Sequence, residues 1–257
     1  MIDLHAHVLP GLDDGPATMA ETLELLRDAH AAGVTRIAAT PHVRHDYPTR
    51  VEEMERLVAE VNAAARDAGI PVEVLPGGEL SIPMLLELDD ETLRRFGLGG
   101  NPNLLLVEFP DRGFPVGLHT LLFRLATRGF RVVLAHPARN AEIQADPSRL
   151  ETFVRAGALV QLTASTFEGR FGRAAQRCAR ELLAAGWAHV VASDAHTRAV
   201  RPTGFAGAAA AIGDPQLVRR LTLDVPAALV ADAPLPPRRG RATEPAAPLA
   251  RPELVTT

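Results

Sequence analysis

Lysine is missing from all 257 residues, so every one of the 27 basic side chains is an arginine. That absence excludes a lysine nucleophile, a Schiff base and a carbamylated lysine between metal ions. Cysteine occurs once, at Cys178, so neither an internal disulfide nor a thiolate metal cluster can form. No arginine stands six residues after Cys178, which removes the Cys-x5-Arg phosphate loop of thiol phosphatases. No apolar run approaches the roughly 20 residues that span a bilayer. The N-terminus lacks the basic segment and apolar run of a secretory signal. The expectation is a cytoplasmic protein without stable membrane insertion. The net charge of −4 gives no basic footprint for a nucleic-acid partner. No GxGxxG or P-loop pattern follows the first apolar run, which argues against a nucleotide-binding open sheet.

What is present is alternation. Short apolar runs at 2–6, 35–40, 72–75, 104–107, 131–135, 158–162 and 189–192 read as seven strands, most bounded by Gly, Pro or polar residues. Longer segments between them carry helical periodicity, as with Val51, Met54, Val58 and Val61 on one face. Thr18 with Glu21, Thr49 with Glu52 and Ser148 with Glu151 fit capping boxes. Gly33, Gly69, Gly129, Gly157 and Gly186 suit helix C-termini. Strand–helix alternation implies parallel strands with helical crossovers, in a closed barrel or an open sheet. From Ala233 to Thr257 the chain carries six prolines and four arginines, and this segment reads as a flexible tail behind one domain of residues 1–232.

The polar residues gather where the apolar runs end. His5 and His7 close the first run, with Asp13 and Asp14 in the following loop. His42, Glu79, Glu108, His136 and the pair Asp194 and His196 follow later runs. In parallel α/β folds the C-terminal edge of the strands is the functional face. Residues two apart on an extended strand point to the same side, so His5 and His7 can share one cation. Imidazole and carboxylate without thiolate suit Zn, Fe, Mn or Co. Any one of these residues alone is as well explained by a polar strand end, a helix cap or an ion pair. The recurrence of one chemistry at six strand ends is what points to a metal site. His30, His119 and His189 read as structural or exposed, His45 as a weak substrate-side candidate, and Cys178 as packing.

The string from His5 to Pro16, HAHVLPGLDDGP, together with Thr40-Pro-His42, Glu108-Phe-Pro, His136-Pro and Ser193-Asp-Ala-His196, resembles the polymerase and histidinol phosphatase (PHP) superfamily. Its LPGxDDGP extension and the segment from Gln161 to Gly172 resemble the branch of bacterial manganese-dependent tyrosine phosphatases of capsule and exopolysaccharide gene clusters. The resemblance covers about residues 1–231. It implies a distorted (β/α)7 barrel with its active site at the C-terminal ends of the strands. It also implies three divalent ions, manganese first, with Fe, Zn, Co or Mg as alternatives. His5, His7, Glu79 and Asp194 would hold the first ion. Glu79 would bridge to the second, completed by Glu108 and His136. Asp14, His42 and His196 would hold the third, with Asp13 in a supporting or capping role. Arg139, in the family's His-Pro-x-Arg, and Arg201 would clamp phosphate through guanidinium forks. Arg170 is a further candidate, with a structural ion pair as its equal alternative. Ala6 and Ala138 depart from residues common in relatives without removing a ligand.

The implied reaction is phosphomonoester hydrolysis by water that the ions acidify, on phosphotyrosine of a protein partner such as a bacterial tyrosine autokinase. The residues leave the general acid unassigned. The alternatives are a small-molecule phosphatase of histidinol-phosphatase type, a metal-dependent amidohydrolase, and an inactive barrel serving as a regulatory module.

Overall fold

Successive side chains along a strand point to opposite faces, which sets up two apolar layers, and the computed structural model, which describes residues 1–198 and 200–237, shows both. The strands are β1 (Ile2–Ala6), β2 (Arg36–Ala39), β3 (His42–Arg44), β4 (Tyr47–Pro48), β5 (Glu73–Leu75), β6 (Glu79–Leu80), β7 (Leu104–Glu108), β8 (Arg131–Ala135), β9 (Leu159–Thr163) and β10 (Val190–Ala192). Leu105, Val107, Val132, Leu134, Val160 and Leu162 point to the larger layer, which the flanking helices cover. Leu104, Leu106, Val133, Leu159, Val190 and Ala192 point the other way, onto Val225 and Leu229 of the helix Val225–Val230. The fold is α/β with a core of parallel strands.

Each of the seven expected runs contains a strand, but β3, β4 and β6 lie outside them. β3 resumes the direction of β2 after Thr40 and Pro41, and β6 resumes that of β5 after Pro76, Gly77 and Gly78. Proline has no N–H for the ladder, so each interruption splits one long strand in two. The first halves form the parallel sheet β1-β2-β5, and the second halves enter the order β10-β9-β8-β7-β6-β3-β4. Only the β3–β4 pair in these sheets is antiparallel. Beyond β10, Ala195 bridges in parallel to Ala6. There His7 N donates to Ala195 O over 2.7 Å and Asp194 N to His5 O over 2.8 Å.

β1 carries one irregularity that decides where its histidines go. Its pairing with β2 runs Asp3 to Ile37 and then Ala6 to Ala39, so β1 holds one extra residue, a bulge. Ile2 and Leu4 face the inner apolar layer, and the bulge turns His5 and His7 to that same side while Ala6 faces the helices. The buried Asp3 carboxylate holds this kink, accepting from His5 N over 3.3 Å and Ser193 N over 3.0 Å.

Thr18 and Glu21 form the expected capping box on the helix Met19–Ala31. The other two boxes do not form. The helix Val51–Asp67 begins one residue too late, with Arg50 at its N-cap and no side-chain cap bond. Ser148 yields to Asp146, whose carboxylate caps the turn Pro147–Leu150 behind a proline at its first position. All five glycines expected behind helices take φ between +65° and +93°. Of the expected tail, Ala233–Pro237 lies against the body: Leu235 packs on the inner layer, and Arg220 Nη1 donates to Pro236 O over 2.6 Å and Pro237 O over 2.9 Å. Its remaining residues, 238–257, lie outside the described residues.

Gly78 sets the approach of Glu79. A Cβ there would stand 2.8 Å from Phe96 Cδ1 and 3.0 Å from Val43 Cγ2. Gly78→Ala is expected to cost about 1–3 kcal/mol by overpacking, read as a lower midpoint in thermal or urea unfolding. An unchanged midpoint would show that Phe96 can yield without strain.

Candidate metal centre

The inner face that is apolar at one end turns polar at the other. Along β7, Leu104 and Leu106 give way to Glu108; along β10, Val190 and Ala192 give way to Asp194. On β9 the same alternation carries Leu159 on to Gln161. His136 and Asp194 carry a further device: φ values of +39° and +53°, left-handed for non-glycine residues. Such conformations cost on the order of 1–3 kcal/mol each and persist where surrounding contacts enforce them.

The nine candidate ligands converge on one buried volume. Glu79 lies at its centre. Its Oε2 is 3.4 Å from His5 Nε2, 3.4 Å from His7 Nε2 and 3.1 Å from His42 Nδ1, and its Oε1 is 2.8 Å from His136 Nε2. Asp194 Oδ1 is 3.5 Å from His5 Nε2, 3.8 Å from His7 Nε2 and 3.7 Å from His196 Nδ1. Asp14 Oδ1 is 3.2 Å from His196 Nε2 and 3.5 Å from His42 Nε2. Glu108 joins Glu79 and His42 at the rim, where it pairs with Arg44 over 3.0 Å. Asp14 is 41% exposed, so the cluster opens to solvent on that side.

These residues fit divalent cations. His5 Nε2, His7 Nε2, His42 Nδ1, Glu79 Oε2 and Asp194 Oδ1 are buried, and among the described residues no hydrogen bond reaches any of them. Leaving five facing polar atoms unsatisfied in a low-dielectric interior would cost several kcal/mol in total. Two ligands of one ion, each at about 2.1 Å, stand roughly 3–3.5 Å apart, which is the spacing around Glu79 Oε2.

At Glu79, Asp194, His136 and His196 the protonation states suit the same purpose. Burial opposes ionisation of Glu79, but His5 and the adjacent imidazoles of His136 and His42 hold it well below the usual carboxylate range. Burial likewise opposes ionisation of Asp194, and His5, His136 and Arg201 overcome it. Burial and then Arg139 push His136 down to about 4, and burial lowers His196 as well. Burial would lower His7 too, but Asp13 and Glu79 raise it to about 10. Burial and the nearby Glu79 charge raise Glu108. Around neutral pH Glu79 and Asp194 are therefore charged and His136 and His196 unprotonated, the forms that bind metal, whereas His7 must give up a proton to do so.

An outer ring of residues fixes the imidazoles. Asp13 Oδ2 bonds His7 Nδ1 at 2.6 Å and also accepts from His42 N over 3.0 Å, leaving His7 Nε2 aimed inward. Gln161 Oε1 accepts from His136 N over 2.9 Å and contacts His5 Nδ1 at 3.3 Å. The Asp194 carbonyl lies 3.0 Å from His196 Nδ1. Partners of this kind select the ring nitrogen that faces a metal. Sequence reasoning left Asp13 in a supporting or capping role and missed Gln161. The available signal for Gln161 was a polar side chain inside an otherwise apolar strand run.

Arg139 Nη1 donates to Asp194 Oδ2 over 3.1 Å, and Arg201 Nη1 contacts the same oxygen. Both arginines line a cavity of about 230 Å³ with Asp14, His42, Glu79 and Asp194. Arg44 and Asp111 line it too, and neither was foreseen. Arg170 pairs with Glu168 over 3.4 Å on the surface. His45 pairs with Glu87 outside the cluster, His119 packs against Phe153, and the buried Cys178 thiol is pushed up to about 12 by burial and Glu181. A larger cavity of about 710 Å³ lies away from the cluster, between Leu183 and Asp224. No helix among the described residues is long and apolar enough to cross a membrane.

Residues 1–230 match the family described as capsular polysaccharide synthesis, CpsB/CapC. The tyrosine-protein phosphatase YwqE of Bacillus subtilis (strain 168) is 35% identical over 197 residues, 76% of this chain and 77% of that protein. The tyrosine-protein phosphatase CpsB of Streptococcus agalactiae serotype III (strain NEM316) is 29% identical over 215 residues, 81% of this chain and 88% of that protein. One solved structure comes from work on YwqE of Bacillus subtilis and CpsB of Streptococcus pneumoniae, described as unique metal-dependent tyrosine phosphatases. It superposes with a TM-score of 0.84 at 31% identity, covering 91% of this chain and 96% of that one.

Asp13→Ala and Gln161→Leu are each expected to weaken Mn2+ binding about 10- to 100-fold, measured by calorimetric titration of metal-stripped protein. Wild-type affinity in both would show that the imidazoles keep their orientation unaided. Chelation of the wild type is expected to lower its melting temperature, with recovery on adding Mn2+, because a ligand of the folded state alone stabilises it.

Proposed function

We propose, from the premise that this chain belongs to the CpsB/CapC family of capsular polysaccharide synthesis, that it is a metal-dependent tyrosine phosphatase. The observation that carries the reading is the buried imidazole–carboxylate cluster with unsatisfied atoms on its inner side, flanked by two arginines on a shared carboxylate. We read the strands, with the Ala6–Ala195 bridge joining β1 to the end of β10, as a distorted (β/α)7 barrel of residues 1–232 with the cluster at its C-terminal rim.

The ligand sets are those the resemblance implies, and the contacts among these residues support them. His5, His7, Glu79 and Asp194 would hold one ion; Glu79, Glu108 and His136 a second; Asp14, His42 and His196 a third, with manganese the first choice. Such ions supply Lewis-acid charge and acidify water near neutral pH. The chain's own residues do the rest. Arg139 and Arg201 present forks of N–H donors to the phosphoryl oxygens and stabilise the charge that spreads over them in the transition state. Asp194 holds both forks through one oxygen while its other oxygen faces the imidazoles. Asp13 and Gln161 keep His7 and His5 in orientation. A tyrosyl leaving group has a phenol pKa of about 10 and needs only modest proton assistance. The substrate is phosphotyrosine on a protein, and the partner of best fit is a bacterial tyrosine autokinase of polysaccharide assembly.

The Mn2+-loaded chain is expected to hydrolyse a phosphotyrosine peptide with kcat/KM well above that for histidinol phosphate. The reverse order would place it with the small-molecule phosphatases. His136→Ala should abolish turnover, while Cys178→Ser should leave it unchanged, because the thiol is buried outside the cluster. Loss of activity in the cysteine variant, with normal folding and metal content, would overturn the metal-centred chemistry.

A further inference from the structure

The segment from Gln161 to Gly172 supplies more than Gln161. Phe171 stands at the start of the helix Gly172–Ala184, partly buried, with its ring turned to the arginine pair. The Arg139 Cζ atom lies 4.8 Å from the ring centroid, and the Arg201 Cζ atom 6.0 Å. Among the described residues no other aromatic ring lies under either guanidinium.

The two cations need such a support. Both place Nη1 on one carboxylate oxygen, Asp194 Oδ2, which brings like charges close together. Arg139 has a further anchor in Asp111, at 3.3 Å, on a mostly exposed carboxylate at the cavity wall. Arg201 has a further anchor in His196, whose Nε2 lies 2.8 Å from Arg201 Nη2. That nitrogen is the one His196 would give to a cation, since the Asp194 carbonyl takes Nδ1. With His196 engaged in that way, Arg201 keeps Asp194 and the face of Phe171. An aromatic face attracts guanidinium through its quadrupole and lets it lie flat. It offers no hydrogen bond and so leaves the N–H donors free.

We infer that Phe171 is a positioning residue: its ring carries Arg139 and Arg201 side by side so that both forks meet one phosphoryl group. The inference rests on the reading that these two arginines bind that group. The test uses the Mn2+-loaded full chain and inorganic phosphate as probe, with the dissociation constant from calorimetry and kcat and KM from a phosphotyrosine peptide. Phe171→Leu keeps apolar bulk and removes the ring face; it is expected to weaken phosphate about 10-fold, in the range of a desolvated cation–π contact, with unchanged Mn2+ content. Phe171→Tyr keeps the face and is expected to bind phosphate as the wild type does. Arg139→Ala and Arg201→Ala serve as references and should weaken phosphate at least as much. If the arginine variants lose phosphate and Phe171→Leu does not, the inference falls and the arginine reading stands. If the arginine variants bind phosphate normally, both fall. Should the leucine variant fail to fold, a folded, Mn2+-replete tyrosine variant with weakened phosphate binding overturns the inference by itself.

Discussion

A carboxylate buried as deeply as Glu79 must be neutralised, and everything near it answers to that demand. Four imidazoles stand within 3.4 Å of its two oxygens, two of them from the end of β1 and the others from two further stretches of chain. Burial opposes the charge and the imidazoles restore it, so charge and surroundings are built together. Imidazoles alone leave Oε2 without a hydrogen bond. A cation satisfies both the acid and the ring nitrogens, which is why a metal centre accounts for the geometry better than a network of protonated histidines. The close approach needs a backbone without side chains just before Glu79, and Gly78 against Phe96 provides it.

Asp194 connects this centre to the arginine pair. One oxygen looks toward His5 and His7, the other toward Arg139 and Arg201. The left-handed backbone at Asp194 allows the carboxylate to stand between the two groups. On the proposed reading the same carboxylate sets the distance between metal-side charge and phosphate-side charge, a quantity that electrostatic catalysis depends on.

Much of this was legible in the residues themselves. Seven apolar runs each contain a strand, and the polar residues following them are the ones that meet. What stayed hidden has physical causes. Pro41 and the Pro76-Gly77-Gly78 turn split two strands, so β3 and β6 looked like loop. The capping pattern at Thr49 failed because helix entry shifted by one residue, a difference that local pattern does not resolve. Gln161 was visible only as a polar residue in an apolar run, and its two partners, at His5 and His136, are joined to it only by tertiary structure. The partition of ligands among ions was not written in spacing at all. It came from resemblance, and the contacts lend it support without dividing the cluster sharply, since Glu79 touches several of its members.

The bulge in β1 has a consequence for how the His-x-His pattern is to be understood. Strict two-residue alternation, counted from Ile2 and Leu4, would send Ala6 to the inner face and both imidazoles outward among the helices. The extra residue between Asp3 and Ala6 acts as a phase shift, and the buried Asp3 carboxylate is the clasp that keeps it in place. A chain could keep both histidines at their spacing and still lose the centre by losing the shift. The motif therefore encodes a distance, while the phase of the strand beneath it encodes a direction.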